Sequence, residues 1–290
     1  MVDARQDVPP GLLDGPLPFG RHFSSHMALM RHADGKWSDL DIAPHQPLSL
    51  SPATAAFHYA QCVFEGLKAY RHADGRVALF RIDQNAARMA SSCRIMCMAE
   101  LPEGAFVRAV RALVSTDRAW VPSRPGTSLY VRPAMIATDP LLGVHPSSEY
   151  LFFVIASPVG AYFTRSTGGA APSLRILATD KYVRVPHGGV GAAKTAGNYA
   201  ASLRPAQEAK RLGFDQVLYL DSTERRWCEE LGAANVMFVI DGRVVTPPLG
   251  DSVLPGVTRD SLMKLAPMLG YEMVERPVSI DELVDGIGSG

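Results

Sequence analysis

The sequence carries no excess of charge of either sign: 29 Lys and Arg stand against 29 Asp and Glu in 290 residues. A chain built to embrace nucleic acid or an anionic membrane would show a basic excess or patch, so neither partner is expected. Long hydrophobic runs are also missing. The longest, Tyr150 to Ala156, falls far short of the roughly 20 residues that a membrane-spanning helix needs. Met1 to Asp7 holds acids and no apolar stretch, unlike a secretory signal, which makes the cytoplasm the expected compartment. Cysteine is scarce. Cys62, Cys93, Cys97 and Cys228 are too few and too scattered for a disulfide framework. Cys93 and Cys97, like His22 and His26, have the spacing of one helical turn, but no second close pair accompanies either couple, so no metal site is expected.

What is present suits an ordinary soluble globular chain, with 47% hydrophobic and 20% charged residues and length for one large or two medium domains. Met27–Arg31 and Trp37–Ile42 read as strands around an Asp34-Gly35 turn. The same five residues, Arg-His-Ala-Asp-Gly, recur at 71–75 between Phe64–Tyr70 and Val77–Ile82, but the flanking strands differ, so reuse of a good turn is expected rather than duplication. Helices are expected over 85–98 and 105–120, the second with Phe106, Ala109, Val110, Leu113 and Val114 at three-to-four spacing. Strands follow at 128–137 and 150–156. The stretch rich in Gly, Pro, Ser and Thr at 158–173 marks a linker, dividing a small α+β domain (1–157) from a larger domain (174–290). In the second domain strands are expected at 174–178, 216–220, 227–230, 235–240 and 243–246. Helices are expected from Pro205, over 257–269 and from about Ser279. The rhythm is α+β, without the regular βαβ alternation of a Rossmann sheet.

Gly188 to Thr195 invites two chemical readings. As a phosphate-cradling P-loop it fails, because Ala193 stands in place of the second glycine and Gly197 is expected to interrupt a helix directly after it. Lys194 is alternatively a Schiff-base lysine, whose amine must be made available near neutral pH by partial desolvation. Its small neighbours Gly191, Ala192, Ala193, Ala196 and Gly197 would let a flat cofactor lie against the backbone.

The residues around this lysine complete a pattern. Phe64-Glu-Gly-Leu-Lys-Ala-Tyr-Arg71, Lys194-Thr-Ala-Gly-Asn-Tyr199, Glu229-Glu-Leu-Gly-Ala-Ala-Asn235, Thr246-Pro-Pro-Leu249 and Leu254-Pro-Gly-Val-Thr-Arg259 occur in this order. Ser51-Pro-Ala-Thr54, Ser128-Leu-Tyr-Val-Arg-Pro133 and Ser157-Pro-Val-Gly160 accompany them. The series closely resembles the branched-chain amino acid aminotransferases, which are fold-type IV enzymes dependent on pyridoxal phosphate, and the resemblance runs from about residue 18 to the end.

The resemblance implies a two-domain α+β architecture and a homodimer that moves an amino group between Leu, Ile or Val and 2-oxoglutarate. It implies that Lys194 holds the cofactor covalently and then serves as base and acid. Glu230 would face the pyridine nitrogen, being preferred to Glu229 because it stands five before Asn235. Tyr199 would bond the ring oxygen, and Arg184, ten before the lysine, would lie beside the cofactor. For the phosphate it implies Arg88, at the end of Phe80-Arg-Ile-Asp-Gln-Asn-Ala-Ala-Arg88, together with the helix start at Gly256, Val257 and Thr258. Tyr59, Phe64, Tyr130 and Arg132 would line the substrate pocket, with Arg132 placed to receive the γ-carboxylate of glutamate.

The sequence departs from this pattern in two places. Ala233-Ala234 replace the usual Thr-Met or Gly-Met, which bears on the substrate pocket. The family also continues for several dozen residues beyond the position of Gly290, with a Gly-Thr-Ala loop, so the second domain is expected to be incomplete and the chain alone destabilised and a weak cofactor binder. Other fold-type IV activities, D-amino acid aminotransferase and aminodeoxychorismate lyase, stay open at this point, as does an inactive fragment.

Overall fold

The computed structural model describes residues 8–161 and 173–289. The chain divides into two compact units, Met1–Arg165 and Ser166–Gly290. Of the stretch expected to be a linker, 162–172 lies outside the described residues. Among the described residues no helix is long and apolar enough to cross a membrane.

The first unit is built on strands β1 (His26–Ala33), β2 (Lys36–Trp37) and β3 (Asp41–Pro44), then helix α1 (Ala55–Tyr59). Strands β4 (Cys62–Phe64), β5 (Leu67–Arg71) and β6 (Val77–Leu79) precede helices α2 (Ile82–Ile95) and α3 (Ala105–Thr116). The long strands β7 (Ser128–Ala137) and β8 (Tyr150–Val159) complete it. All pair antiparallel in the order β2-β1-β8-β7-β5-β6, with β3 on β1 and β4 on β7. Because α3 repeats its apolar residues every three or four positions, Phe106, Ala109, Val110, Leu113 and Val114 are all buried on one face. They form one core with sheet residues such as Val131, Met135 and Val154, and the rings of Phe106 and Phe152 lie 6.3 Å apart.

The two identical pentapeptides fold differently. Asp34 and Gly35 both take positive φ, 51° and 72°, in a two-residue turn that pairs Ala33 with Lys36. In the second copy only Gly75 does, and the loop spans 72–76 between Arg71 and its partner Val77. Cys93 and Cys97 also part company, because α2 stops at Ile95 and Cys97 turns into the left-handed region. Cys93 is buried, which pushes its thiol up to about 12, whereas Cys97 is exposed.

The second unit opens with β9 (Ile176–Thr179), followed by helices α4 (Ala196–Ala201) and α5 (Leu203–Arg211). Strands β10 (Gln216–Leu220), β11 (Cys228–Leu231), β12 (Phe238–Ile240) and β13 (Arg243–Thr246) come next. Helix α6 (Val257–Met268), strand β14 (Met273–Glu275) and helix α7 (Ile280–Ser289) end it. One three-stranded sheet has β10 between antiparallel β11 and parallel β9; the other has β13 between antiparallel β12 and parallel β14. The pattern of residues does not reveal β14, a three-residue strand. A second correction concerns Gly197, which does not interrupt a helix but lies inside α4. A glycine in a helix costs about 1 kcal/mol relative to alanine. Here the next residue, Asn198, offsets that by donating from Nδ2 to the carbonyls of Val190 (2.9 Å) and Ala193 (3.1 Å).

Candidate active site

In the second unit the site grows from the loop that carries Lys194. Asn198 ties down the carbonyl of Ala193, the residue before the lysine, and Thr195, immediately after it, is the N-cap of α4. The lysine is therefore fixed at a helix entry. Its Nζ donates to the Tyr199 Oη at 2.6 Å and lies 4.9 Å from the centre of that ring.

Gly191, three residues before Lys194, serves packing. A β-carbon at Gly191 would stand 2.6 Å from the carbonyl oxygen of Asp251 and from the Cα of Ser252. Only glycine lets these two backbones meet there, and the Ala192 N–H then donates to the Asp251 carbonyl at 2.9 Å. Arg184 reinforces the junction, donating from Nη1 to the Ser252 carbonyl at 2.6 Å.

Glu230 stands opposite Tyr219 on β10 and is almost wholly buried, 3% exposed. Burial pushes its carboxyl above the ordinary carboxylate range, while the Arg184 guanidinium, the Leu254 N–H and the charge of Lys194 pull it back. The Arg184 Nε lies 3.3 Å from Oε2, and the Leu254 N–H donates to the same oxygen at 3.0 Å. Both of these contacts fall on Oε2.

The neighbouring acid has a different task. The β10–β11 register slips between Tyr219 and Leu220, so Cys228 faces Leu220, Glu230 faces Tyr219, and Glu229 is the extra residue of a bulge. Glu229 Oε1 accepts the Ser252 hydroxyl at 2.6 Å, and burial raises its carboxyl too. Its Oε2 is buried with no hydrogen-bond partner among the described residues.

Downstream, Gly256 is the N-cap of α6 and has no side chain with which to bond the first-turn N–H groups of Val257 and Thr258. That end of the helix is suited to an anion. Asn235, not assigned a role from the sequence, donates from Nδ2 to the Leu254 carbonyl at 2.8 Å.

The first unit gathers Phe64, Tyr130 and Arg132. The Arg132 guanidinium lies 4.8 Å from the centre of the Phe64 ring and 5.3 Å from that of Tyr130, and its Nη2 donates to the Tyr130 Oη at 2.8 Å. The Arg132 Nε is buried with no hydrogen-bond partner among the described residues. Phe19 meets Tyr130 edge-on at 4.8 Å, a neighbour that no sequence signal marked. Tyr59 is not brought into this cluster by any described contact; it ends α1, exposed, with its ring against His58.

Arg88 lies on α2 and is gripped by Glu65. Its Nε and Nη2 donate to Glu65 Oε1 and Oε2 at 2.7 and 2.8 Å, while Asn85 adds a bond of 2.7 Å to Oε2. Glu65 is wholly buried, 0% exposed, so this forked pair holds the arginine in one orientation. The acid sits inside the quoted Phe64–Arg71 motif, yet nothing local in the sequence links it to Arg88, 23 residues away. Among the described residues no group of three or more His, Cys, Asp or Glu side chains is placed to hold a metal ion.

The family model for amino-transferase class IV matches residues 62–288. The chain is 53% identical over 266 residues to a probable branched-chain-amino-acid aminotransferase of Streptomyces coelicolor, covering 91% of this chain and 72% of that relative. It is 48% identical over 268 residues to branched-chain-amino-acid transaminase 1 of Bacillus subtilis, covering 92% and 74%. Among solved structures, the Escherichia coli branched-chain amino acid aminotransferase superposes with a TM-score of 0.73 at 26% identity, covering 90% of this chain and 80% of that one. A second solved branched-chain amino acid aminotransferase, complexed with N-(5'-phosphopyridoxyl)-L-glutamate, gives 0.70 at 27% identity, covering 88% and 78%. Shared architecture and high identity over nine-tenths of the sequence lead to one conclusion: the chain belongs to the class IV aminotransferases, in the branched-chain amino acid aminotransferase family.

Proposed function

We propose that the chain transfers an amino group between branched-chain L-amino acids (Leu, Ile, Val) and 2-oxoglutarate, with pyridoxal phosphate as cofactor. The observation that carries this reading is the grouping of Lys194, Tyr199, Glu230 and Arg184 in one unit, with the lysine amine bonded to a phenol and the buried carboxylate held through Oε2. These residues fit pyridoxal phosphate: an amine for its aldehyde, a buried carboxylate for its nitrogen, and a helix N-terminus for its phosphate. When bound, the cofactor supplies an electron sink for the pair released at the substrate Cα.

The chain's own residues supply the rest. Lys194 Nζ takes the proton from the substrate Cα and returns one in the second half of the exchange. Tyr199 Oη holds that amine in place between transfers. Glu230 keeps a positive charge on the ring nitrogen, and Arg184 keeps Glu230 ionised against the pull of burial. Gly256, Val257 and Thr258 offer backbone N–H groups to the phosphate, and Arg88, steadied by Glu65, offers a guanidinium. Phe64 and Tyr130 supply apolar surface for a branched side chain, and Arg132 pairs with the distal carboxylate of glutamate. The names of the relatives favour this activity over D-amino acid aminotransferase and aminodeoxychorismate lyase.

A homodimer in the cytoplasm completes the proposal. Phe57, Leu141, Leu142 and Val144 are large apolar side chains exposed in the first unit, in keeping with a partner surface. The test is an assay of glutamate formation from leucine and 2-oxoglutarate, run beside D-alanine and aminodeoxychorismate, with light scattering to size the protein. Turnover of leucine at least tenfold above D-alanine supports the reading; preference for either competitor refutes it, and a monomeric mass refutes the dimer.

A further inference from the structure

We propose that Asn235 is a positioning residue for this site: it holds the Leu254-Pro255-Gly256 turn that joins the Glu230 carboxylate to the first turn of α6. The inference rests on the assignment, made above, of Glu230 and the start of α6 to the cofactor.

Both polar backbone groups of Leu254 are held by side chains. Its N–H donates to Glu230 Oε2 at 3.0 Å, and its carbonyl accepts the Asn235 amide at 2.8 Å. The two side chains stand five residues apart, one on β11 and one in the loop after it. They therefore clamp one residue from opposite sides. Asn235 also packs on Gly256: its Oδ1 occupies the place that a β-carbon on Gly256 would take. The φ of Gly256 is −71°, which any residue adopts, so space beside Asn235 is what requires glycine there. Between the two contacts Pro255 fixes its own φ and removes slack from the turn.

Through Leu254 and Gly256, Asn235 thus sets how far the helix start lies from the carboxylate. The cofactor's phosphate would be tethered to the ring by a short covalent arm, so the separation of carboxylate and helix start bears on whether both ends are held together. Only an amide serves at this position. An aspartate has the same shape but turns an acceptor toward the Leu254 carbonyl, and alanine leaves both contacts unmade.

The test compares pyridoxal phosphate with pyridoxal, which lacks the phosphate, by titration of the full chain freed of cofactor. The chain is first shown to capture pyridoxal phosphate on Lys194 and to prefer it to pyridoxal. Asn235→Asp is expected to weaken pyridoxal phosphate about tenfold while pyridoxal binding changes less than about threefold, so the preference for phosphate shrinks. Asn235→Ala, which leaves both contacts unmade without adding a charge, is expected to shrink it likewise, and it decides the matter if Asn235→Asp does not fold. Phosphorus resonance of the bound cofactor should shift in the same variants. Equal weakening of both ligands, or an unchanged preference, overturns the role of Asn235. A wild-type chain with no preference for the phosphate overturns the earlier assignment and this one together.

Discussion

Lys194 and Tyr199, five residues apart, are joined by a hydrogen bond of 2.6 Å, with the phenol supplied by α4 and the amine by the residue before its N-cap. The helix entry therefore sets the position of the amine. Tyr199→Phe keeps the ring and removes the oxygen, so it should lower kcat for leucine about tenfold, the value of one hydrogen bond to a charged group. Covalent capture of the cofactor should survive. Steady-state kinetics and reductive trapping of the same preparation check both halves.

Glu230 is placed to act by its charge. Glu230→Gln retains an acceptor for the Leu254 N–H, so the melting temperature should change little, but kcat should fall about a hundredfold. Burial raises the Glu230 carboxyl, opposed by Arg184. The acid limb of the kcat profile should therefore lie above the ordinary carboxylate range and be lost in the glutamine variant. The stability linkage has the opposite sense to that of a salt-bridged acid. The burial cost is absent while the group is protonated at low pH and appears as pH rises through the elevated value.

Glu65 and Arg88 form a buried, forked ion pair. Removing the carboxylate leaves the guanidinium partly desolvated without that partner. Glu65→Ala should then cost about 3–5 kcal/mol of stability, measured by urea unfolding. Asn85, which also bonds Glu65, should give a smaller loss on truncation, about 1 kcal/mol.

Asp221 caps the turn that leads into β11. Burial pushes its carboxyl up, but the backbone N–H groups of Trp227, Glu224, Arg226 and Thr223 outweigh this and hold it down at about 2. Its contribution to stability is complete above the ordinary carboxylate value, about 4, and is lost as pH falls toward the depressed one. Asp221→Ala should destabilise the chain by about 2–3 kcal/mol at neutral pH, and by progressively less in acid. Thermal melts across that range check the convergence.

Much of this was legible in the residues because local rules and tertiary context agree. The α3 stripe and the Asp34-Gly35 turn follow from spacing and from which residues tolerate positive φ. The Arg-His-Ala-Asp-Gly repeat marks the limit of such rules, since the strands on either side of it choose a two-residue turn once and a longer loop the second time. Adjacent Glu229 and Glu230 could be ranked by resemblance but not by physics, because a bulge decides their separate partners and a bulge leaves no local signature. Glu65 and Asn235 were hidden for another reason. Each acts on a residue about 20 positions away, 23 for Arg88 and 19 for Leu254, and a pairing at that distance is visible only once the chain is folded.

The account turns on Lys194 as the residue that takes the cofactor. The most direct measurement incubates the purified chain with pyridoxal phosphate, reduces with borohydride, and maps the labelled peptide by mass spectrometry, with Lys194→Ala in parallel. The account predicts one label per chain, on Lys194, and none in the variant. Label on another lysine, or equal label in Lys194→Ala, would contradict it.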